Sequence, residues 1–262
     1  MHIGKKFGVA VVTAGIALAT APVSSASAAS FCGEIGGQWD GAYCHTTVPS
    51  ERKALRDIKM AMPSDLLDNP TSGPVLKDYL RTLMNNWRDH AGKMAADSFG
   101  EENFEVFNHG PATSVVFHED YHADGPFPAN AYRTFTFDMS QGRRLMLADI
   151  MANGADPLVT LPPLVEPFLI PALDAAAPPH TPGTYPFVAD RWTPDKVFSG
   201  AYRAWALTPD ELILYLPDYP VAHDTPLNYD PLTMQWSMDG GNVQVHVPLS
   251  ALAGVLKPQY GG

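Results

Sequence analysis

The residues of this sequence with the most obvious chemical potential are His118-Glu119-Asp120-Tyr121-His122, an H-E-x-x-H pattern. On a helix, histidines four positions apart share one face and can grip a zinc ion, with the glutamate beside it as general base. The neighbours point to another geometry. Ser114-Val115-Val116-Phe117 precedes the pattern and Gly125-Pro126 comes after it, which reads as a strand running into a hairpin. In a strand, His118 and His122 stand about 13 Å apart at roughly 3.3 Å per residue, too far to share one ion. No helical glutamate or histidine lies downstream at a third-ligand spacing. The sequence therefore assigns no metal and no cofactor, and His118, Glu119 and His122 read as polar residues at a sheet edge.

Other catalytic patterns are weaker. The chain has no G-x-S-x-G elbow and no G-x-x-x-x-G-K-[ST] loop, so neither an α/β-hydrolase nor a P-loop enzyme is indicated. Ser199, Ser237 and Ser250 could be combined on paper with His223 or His246 and with Asp218 or Asp224, as in any chain of this size. Carboxylate pairs such as Asp149 with Glu166, or Asp210 with Glu211, have no positional support either. Asp210-Glu211 reads as a turn and Asp149 as a cap for the segment after it. No catalytic residue is assigned.

The elements that must position any site begin with an export signal. Met1 to Lys6 is cationic, Phe7 to Ala21 carries no charge, and Ala26-Ser27-Ala28 offers small residues for cleavage, so residues 1–28 read as a signal peptide and 29–262 as one secreted domain. No window supplies the roughly 20 apolar residues of a membrane span. Export puts Cys32 and Cys44, the only cysteines, in an oxidising compartment where they are expected to pair. Closing this loop of about 13 residues stabilises by roughly 3 kcal/mol on the chain-entropy argument. Loss of Lys5 and Lys6 from 17 basic residues, with all 28 acidic ones kept, leaves a formal charge of −13, which excludes nucleic acid as a partner.

Periodicity gives the order of elements. Ile58, Met60 and Met62 alternate as a first strand. A long helix comes next, with Ser72 as its cap, Pro74 in its first turn, and a stripe of Val75, Leu76, Tyr79, Leu80, Leu83, Met84, Trp87, Ala91 and Met94 facing the core. The period then changes to two: Phe104 and Val106, Val115 and Phe117, and Tyr132 to Asp138 read as strands, with a hairpin loop at 123–130. Leu145 to Met151 is a short strand entering a turn. Two strands flank Thr208-Pro209-Asp210-Glu211, Val243, Val245 and Val247 form a last strand, and Leu249 to Leu256 a short closing helix. Residues 217–242 form a long loop containing Tyr219, Tyr229 and Trp236. Of the 25 prolines, most lie between Pro157 and Pro231.

Several short segments, taken in order, resemble one family. They are the Cys32–Cys44 opening, Ala131-Tyr132-Arg133-Thr134-Phe135, Leu147-Ala148-Asp149-Ile150-Met151, Asp156-Pro157-Leu158, the stretch from Trp205 to Leu216, and Val245-His246-Val247-Pro248-Leu249-Ser250. Together they look like the mycobacterial secreted immunogenic proteins, which share their C-terminal domain with the anti-sigma factor RsiV. The resemblance implies an α+β fold, a mixed twisted sheet packed on one long amphipathic helix, with an N-terminal disulfide loop at 29–50. It also implies a secreted, non-enzymatic binding or antigen-type protein whose partner is a protein or an envelope or host-surface ligand, recognised through the exposed sheet face or through Tyr219, Tyr229 and Trp236. Esterase activity attributed within the family makes a secreted serine-type esterase the rival reading. Two departures stand out: Pro162, Pro163, Pro167 and Pro171 are expected to shorten or break the family's helix at 158–173, and 217–242 looks like an insertion.

Overall fold

A computed structural model describes residues 24–121, 129–176, 180–185, 187–216, 229–230, 235–236 and 243–262. In chain order, the first half holds helix α1 (Ser24–Glu34), strands β1 (Gln38–Trp39), β2 (Tyr43–Pro49) and β3 (Leu55–Ala61), and helices α2 (Ser64–Asp68) and α3 (Gly73–Ala91). Strands β4 (Ser98–His109), β5 (Ala112–Tyr121), β6 (Ala129–Asp138) and β7 (Arg143–Leu145) come next. The remainder holds α4 (Leu147–Ile150), α5 (Pro157–Thr160), α6 (Pro162–Ala175), β8 (Trp205–Leu207), β9 (Glu211–Leu216), β10 (Tyr229–Asp230), β11 (Gln235–Trp236) and β12 (Val243–Pro248).

Strands β1 to β7 form one sheet in sequence order, antiparallel throughout except for β3 and β4, which run parallel. A parallel pair needs a crossover, and α2–α3 supplies it. The mixed α+β architecture and the long helix are as the sequence reads. Leu76, Tyr79, Leu80, Leu83, Met84 and Trp87 are buried against Ile58, Met60, Phe117, Phe135 and Phe137 on one face of the sheet, here termed the inner face. Tyr79 sits with its ring centroid 4.8 Å from Phe117 and 5.2 Å from Phe135, so the aromatics of α3 are core. Ser72 does not cap the helix. Its hydroxyl donates to Leu66 O at 2.7 Å and ties α3 to α2 instead.

The Cys32–Cys44 disulfide forms, joining α1 to β2 with a Cα separation of 5.3 Å. Residues 1–23, most of the expected signal peptide, lie outside the described residues. Ala28, the expected last residue before cleavage, is fully buried in α1 beside Phe31, Cys32 and Ile35. Arg88 near the end of α3 donates to the carbonyls of Ile35 and Gly36, satisfying orphan acceptors where α1 ends. Gly37 leaves room for the bridge, since a Cβ there would stand 2.3 Å from the Cys44 sulfur and 2.9 Å from that of Cys32.

The other face of the large sheet, the outer face, is covered over β5 and β6 by a second sheet in the order β12-β9-β8. Strand β8 is an edge, and its amides are satisfied by side chains of the first sheet. Trp205 N donates to Thr134 Oγ1 and Leu207 N to Ser114 Oγ, both at 2.9 Å. Helix α6 packs on β12 through Val165, Leu169 and Leu173. The expected break does not occur at Pro167 or Pro171; the helix runs unbroken from Pro162 to Ala175. Pro163, Pro167 and Pro171 recur every four residues on the exposed side, so the carbonyls that lose a partner face water. Leu249 to Leu256 forms only a single 3-10 turn, Leu249–Leu252, before Met151 and Leu256 bridge.

At Gly100 the helix lies close on the sheet: a Cβ there would stand 2.7 Å from the Trp87 ring. Gly100→Ala is expected to destabilise the fold by about 1–3 kcal/mol, seen as a lower melting temperature with unchanged secondary structure by circular dichroism.

Candidate functional site

The H-E-x-x-H residues lie on a strand, as the alternation around them requires. His118 and Glu119 are adjacent in β5 and so point to opposite faces, while His122 lies outside the described residues. Among the described residues no group of three His, Cys, Asp or Glu could hold a metal ion.

Glu119 belongs to the interior. Its Oε1 accepts from the Tyr79 hydroxyl at 2.9 Å and from Arg133 Nε at 3.1 Å, joining α3, β5 and β6 beneath the helix. Burial first, and after it the Glu119 charge, holds the Tyr79 phenol well above its usual range, so it stays a donor. Glu102 is the direct cross-strand partner of Glu119 and is fully buried. Burial first, and then the neighbouring Glu119 charge, raises the Glu102 carboxyl well above the carboxylate range, against a smaller opposing effect of the Ala61 amide. One acid is thus salt-bridged to Arg133, and burial beside it biases the other toward its protonated form. Arg56, also buried, donates to Trp87 O at 3.3 Å toward the C-terminal end of α3, where the helix dipole favours a cation.

Among the described residues the serine combinations do not converge on a triad. Ser199 Oγ donates to Lys196 O and accepts from Ala201 N, His246 Nδ1 is engaged by Glu211 at 2.8 Å, and Ser237, His223, Asp218 and Asp224 lie outside the described residues. Asp149 accepts from Met146 N and Arg143 Nη1, so it caps the short α4 that contains it rather than the segment after it. In the aromatic loop, Tyr219 lies outside the described residues, and the backbones of Tyr229 and Trp236 face each other across the two-residue ladder of β10 and β11.

The exposed sheet face, which the sequence could not resolve into residues, has a definite composition. Directly paired residues share a face, and the register places Gln38, His45, Lys59, Glu101 and Asp120 in one polar row across β1 to β5. Thr47, Asp57 and Phe99 form the row on one side, while Tyr43, Asn103, His118 and Tyr132 line the other. The second sheet stops short of β2 and β3, which leaves these rows partly or fully exposed. The polar groups are already organised. His45 Nε2 is bonded to Asp57, the Tyr43 hydroxyl donates to Asn103 Oδ1 at 2.9 Å, and Asn103 Nδ2 donates to Glu101 Oε1 at 3.2 Å. At the border with the second sheet, Tyr132 stacks between His118 and Tyr215, with centroids 4.6 and 5.0 Å away.

Comparison with known proteins divides along the chain. Residues 148–250 match the DUF3298 family, described as proteins of unknown function. Residues 21–58, covering α1 and the disulfide and reaching into β3, match a family described as mannan-binding protein. A DUF3298 protein of Pseudomonas aeruginosa PAO1 superposes with a TM-score of 0.51 at 16% identity, covering 83% of this chain and 93% of its own. A DUF3298 member from Bacteroides fragilis NCTC 9343 gives 0.49 at 12%, covering 82% and 91%. The likeness to the Pseudomonas DUF3298 protein is one of fold. No curated protein matches the chain.

Two outcomes test the buried acids. Glu119→Ala strips the buried Arg133 of its carboxylate and is expected to cost about 3–5 kcal/mol of stability, whereas a catalytic role would cost activity and spare the melting temperature. Glu102 binds its proton more tightly folded than unfolded, so stability falls as pH rises from the unfolded carboxyl range through the raised folded value. Glu102→Gln should therefore raise the melting temperature more at pH 8 than at pH 4, flattening the profile.

Proposed function

We propose that this protein is exported and works by binding rather than catalysis, with a glycan as ligand and the outer face of β1 to β5 as the binding surface. The observation that carries this reading is the exposed array of held carboxylates, amide and hydroxyl on a pleated face. A sugar presents paired hydroxyls that both donate and accept. Carboxylates accept from them, amides and lysine donate to them, and aromatic rings cover the apolar face of the pyranose. The segment similar to mannan-binding protein contributes Tyr43, His45 and Asp57 to this array. The pairing of Cys32 with Cys44 supports an oxidising compartment. The resemblance to the mycobacterial secreted immunogenic and RsiV-type proteins supports recognition at or beyond the cell envelope.

Purified protein titrated with mannan by calorimetry or affinity electrophoresis is expected to bind, and Asp57→Ala, with an unchanged melting temperature, to bind about tenfold more weakly, a loss of roughly 1.4 kcal/mol. A Tyr229→Ala, Trp236→Ala variant separates the sheet face from the aromatic loop, because it is expected to keep wild-type affinity. Absence of binding to mannan and to other neutral polysaccharides overturns the reading.

A further inference from the structure

At the β6–β7 end of the inner face, a half-open cavity of about 450 Å³ lies between the start of α3 and the sheet. Small-molecule sites span roughly 300–1,000 Å³. Val75, Tyr79 and Phe135 give the cavity apolar walls, and Asp78, Arg81 and Arg144 give it charges. Val75, Asp78 and Tyr79 recur at three- and four-residue steps on α3 and so share a side of the helix. Arg144 is the direct partner of Phe137 across β6 and β7, which puts it on the inner face with Phe135. Its guanidinium lies over the Phe135 ring, 4.8 Å from the centroid. Burial lowers the Arg144 pKa from the ordinary arginine value, and an anion alongside raises it again.

We propose that this cavity binds a small organic acid, a carboxylate carried on a flat apolar body, with the carboxylate against Arg144 and the body against Val75, Tyr79 and Phe135. The pairing does not require an idle arginine. A guanidinium carries five N–H donors in a planar fork, so it takes a carboxylate while keeping the contacts it already makes. Two arginines against one aspartate leave a single positive charge, which suits a monoanion in a chain that is acidic elsewhere. Val75 lies in the first turn of α3, where the helix dipole adds to that positive potential. Arg81 stands at the rim, 46% exposed and only 4.0 Å from Glu34, so it is placed to draw an anion in rather than to hold it. Nothing in this site depends on the glycan surface, which occupies the outer face of other strands.

Wild type, Arg144→Gln and Val75→Trp, each titrated with phenylacetate and with its uncharged analogue phenylethanol and followed by NMR, decide the matter. Wild type is expected to bind phenylacetate about tenfold or more tightly than phenylethanol. Arg144→Gln should bring the acid down to the level of the alcohol and leave the alcohol unchanged, a split that general loss of structure does not produce. Val75→Trp fills the cavity from the helix side without touching the arginine, and is expected to lose both ligands with its circular dichroism spectrum intact. Should Arg144→Gln fail to fold, Val75→Trp and the comparison of acid with alcohol on wild type still carry the test. Equal affinity for the two ligands, phenylacetate binding that survives Arg144→Gln or Val75→Trp, or a wild type that binds neither overturns the proposal.

Discussion

The pleat of the seven-stranded sheet is the constraint on which the rest of the molecule depends. Side chains alternate faces strictly, so the register that buries Ile58, Met60, Phe117, Phe135 and Phe137 under α3 also delivers Asp57, Lys59, Glu101, His118 and Asp120 to the opposite side. A slip of one residue in β4 would bring Phe99 and Glu101 under the helix and expel Glu102 and Phe104. The parallel join of β3 to β4 makes this arrangement possible. Crossing over the inner face, α3 covers the apolar side and leaves the other side of β2 and β3 open.

Polar groups hold the layers together where apolar packing alone cannot. Beneath α3, the Glu119 carboxylate joins Tyr79 and Arg133, and next to it burial raises the pKa of Glu102. Between the sheets, Ser114 and Thr134 accept from the amides of β8, so a buried strand edge is not left unsatisfied. A third set closes the chain end, where Asp138 accepts from Tyr260. Burial works against the Asp138 charge, but hydrogen bonds from Ser140, Tyr260 and Gln141 outweigh it and lower its pKa, while the same contact helps burial push the Tyr260 phenol up to about 12. These buried polar residues give the fold its alignment, because each satisfies only one relative placement of its neighbours.

The conflict over H-E-x-x-H shows how local pattern and fold compete. The letters match a zinc motif, but metal chemistry needs both histidines on one helical face, and alternation through Val115 and Phe117 commits this stretch to a strand. Once pleated, the glutamate turns inward to Tyr79 and Arg133 while His118 turns outward to Tyr132. The prolines of α6 err in the opposite direction. Read singly they are helix breakers, but spaced by four on the exposed side they remove hydrogen bonds that water replaces.

Alternation and composition alone determined the α+β class, the long core helix, most strands, the Cys32–Cys44 pair and the strand character of the pentapeptide, because each depends on neighbours within a few residues or on the only two cysteines present. Which carboxylates are buried, which face of the sheet stays open, and that Tyr43, Asp57, Phe99, Glu101 and Asn103 meet were decided by tertiary structure. These residues come from three strands, and their meeting depends on one parallel crossover and on where the second sheet stops. Neither leaves a periodic trace along the chain, since both are set by how distant segments share a limited apolar surface.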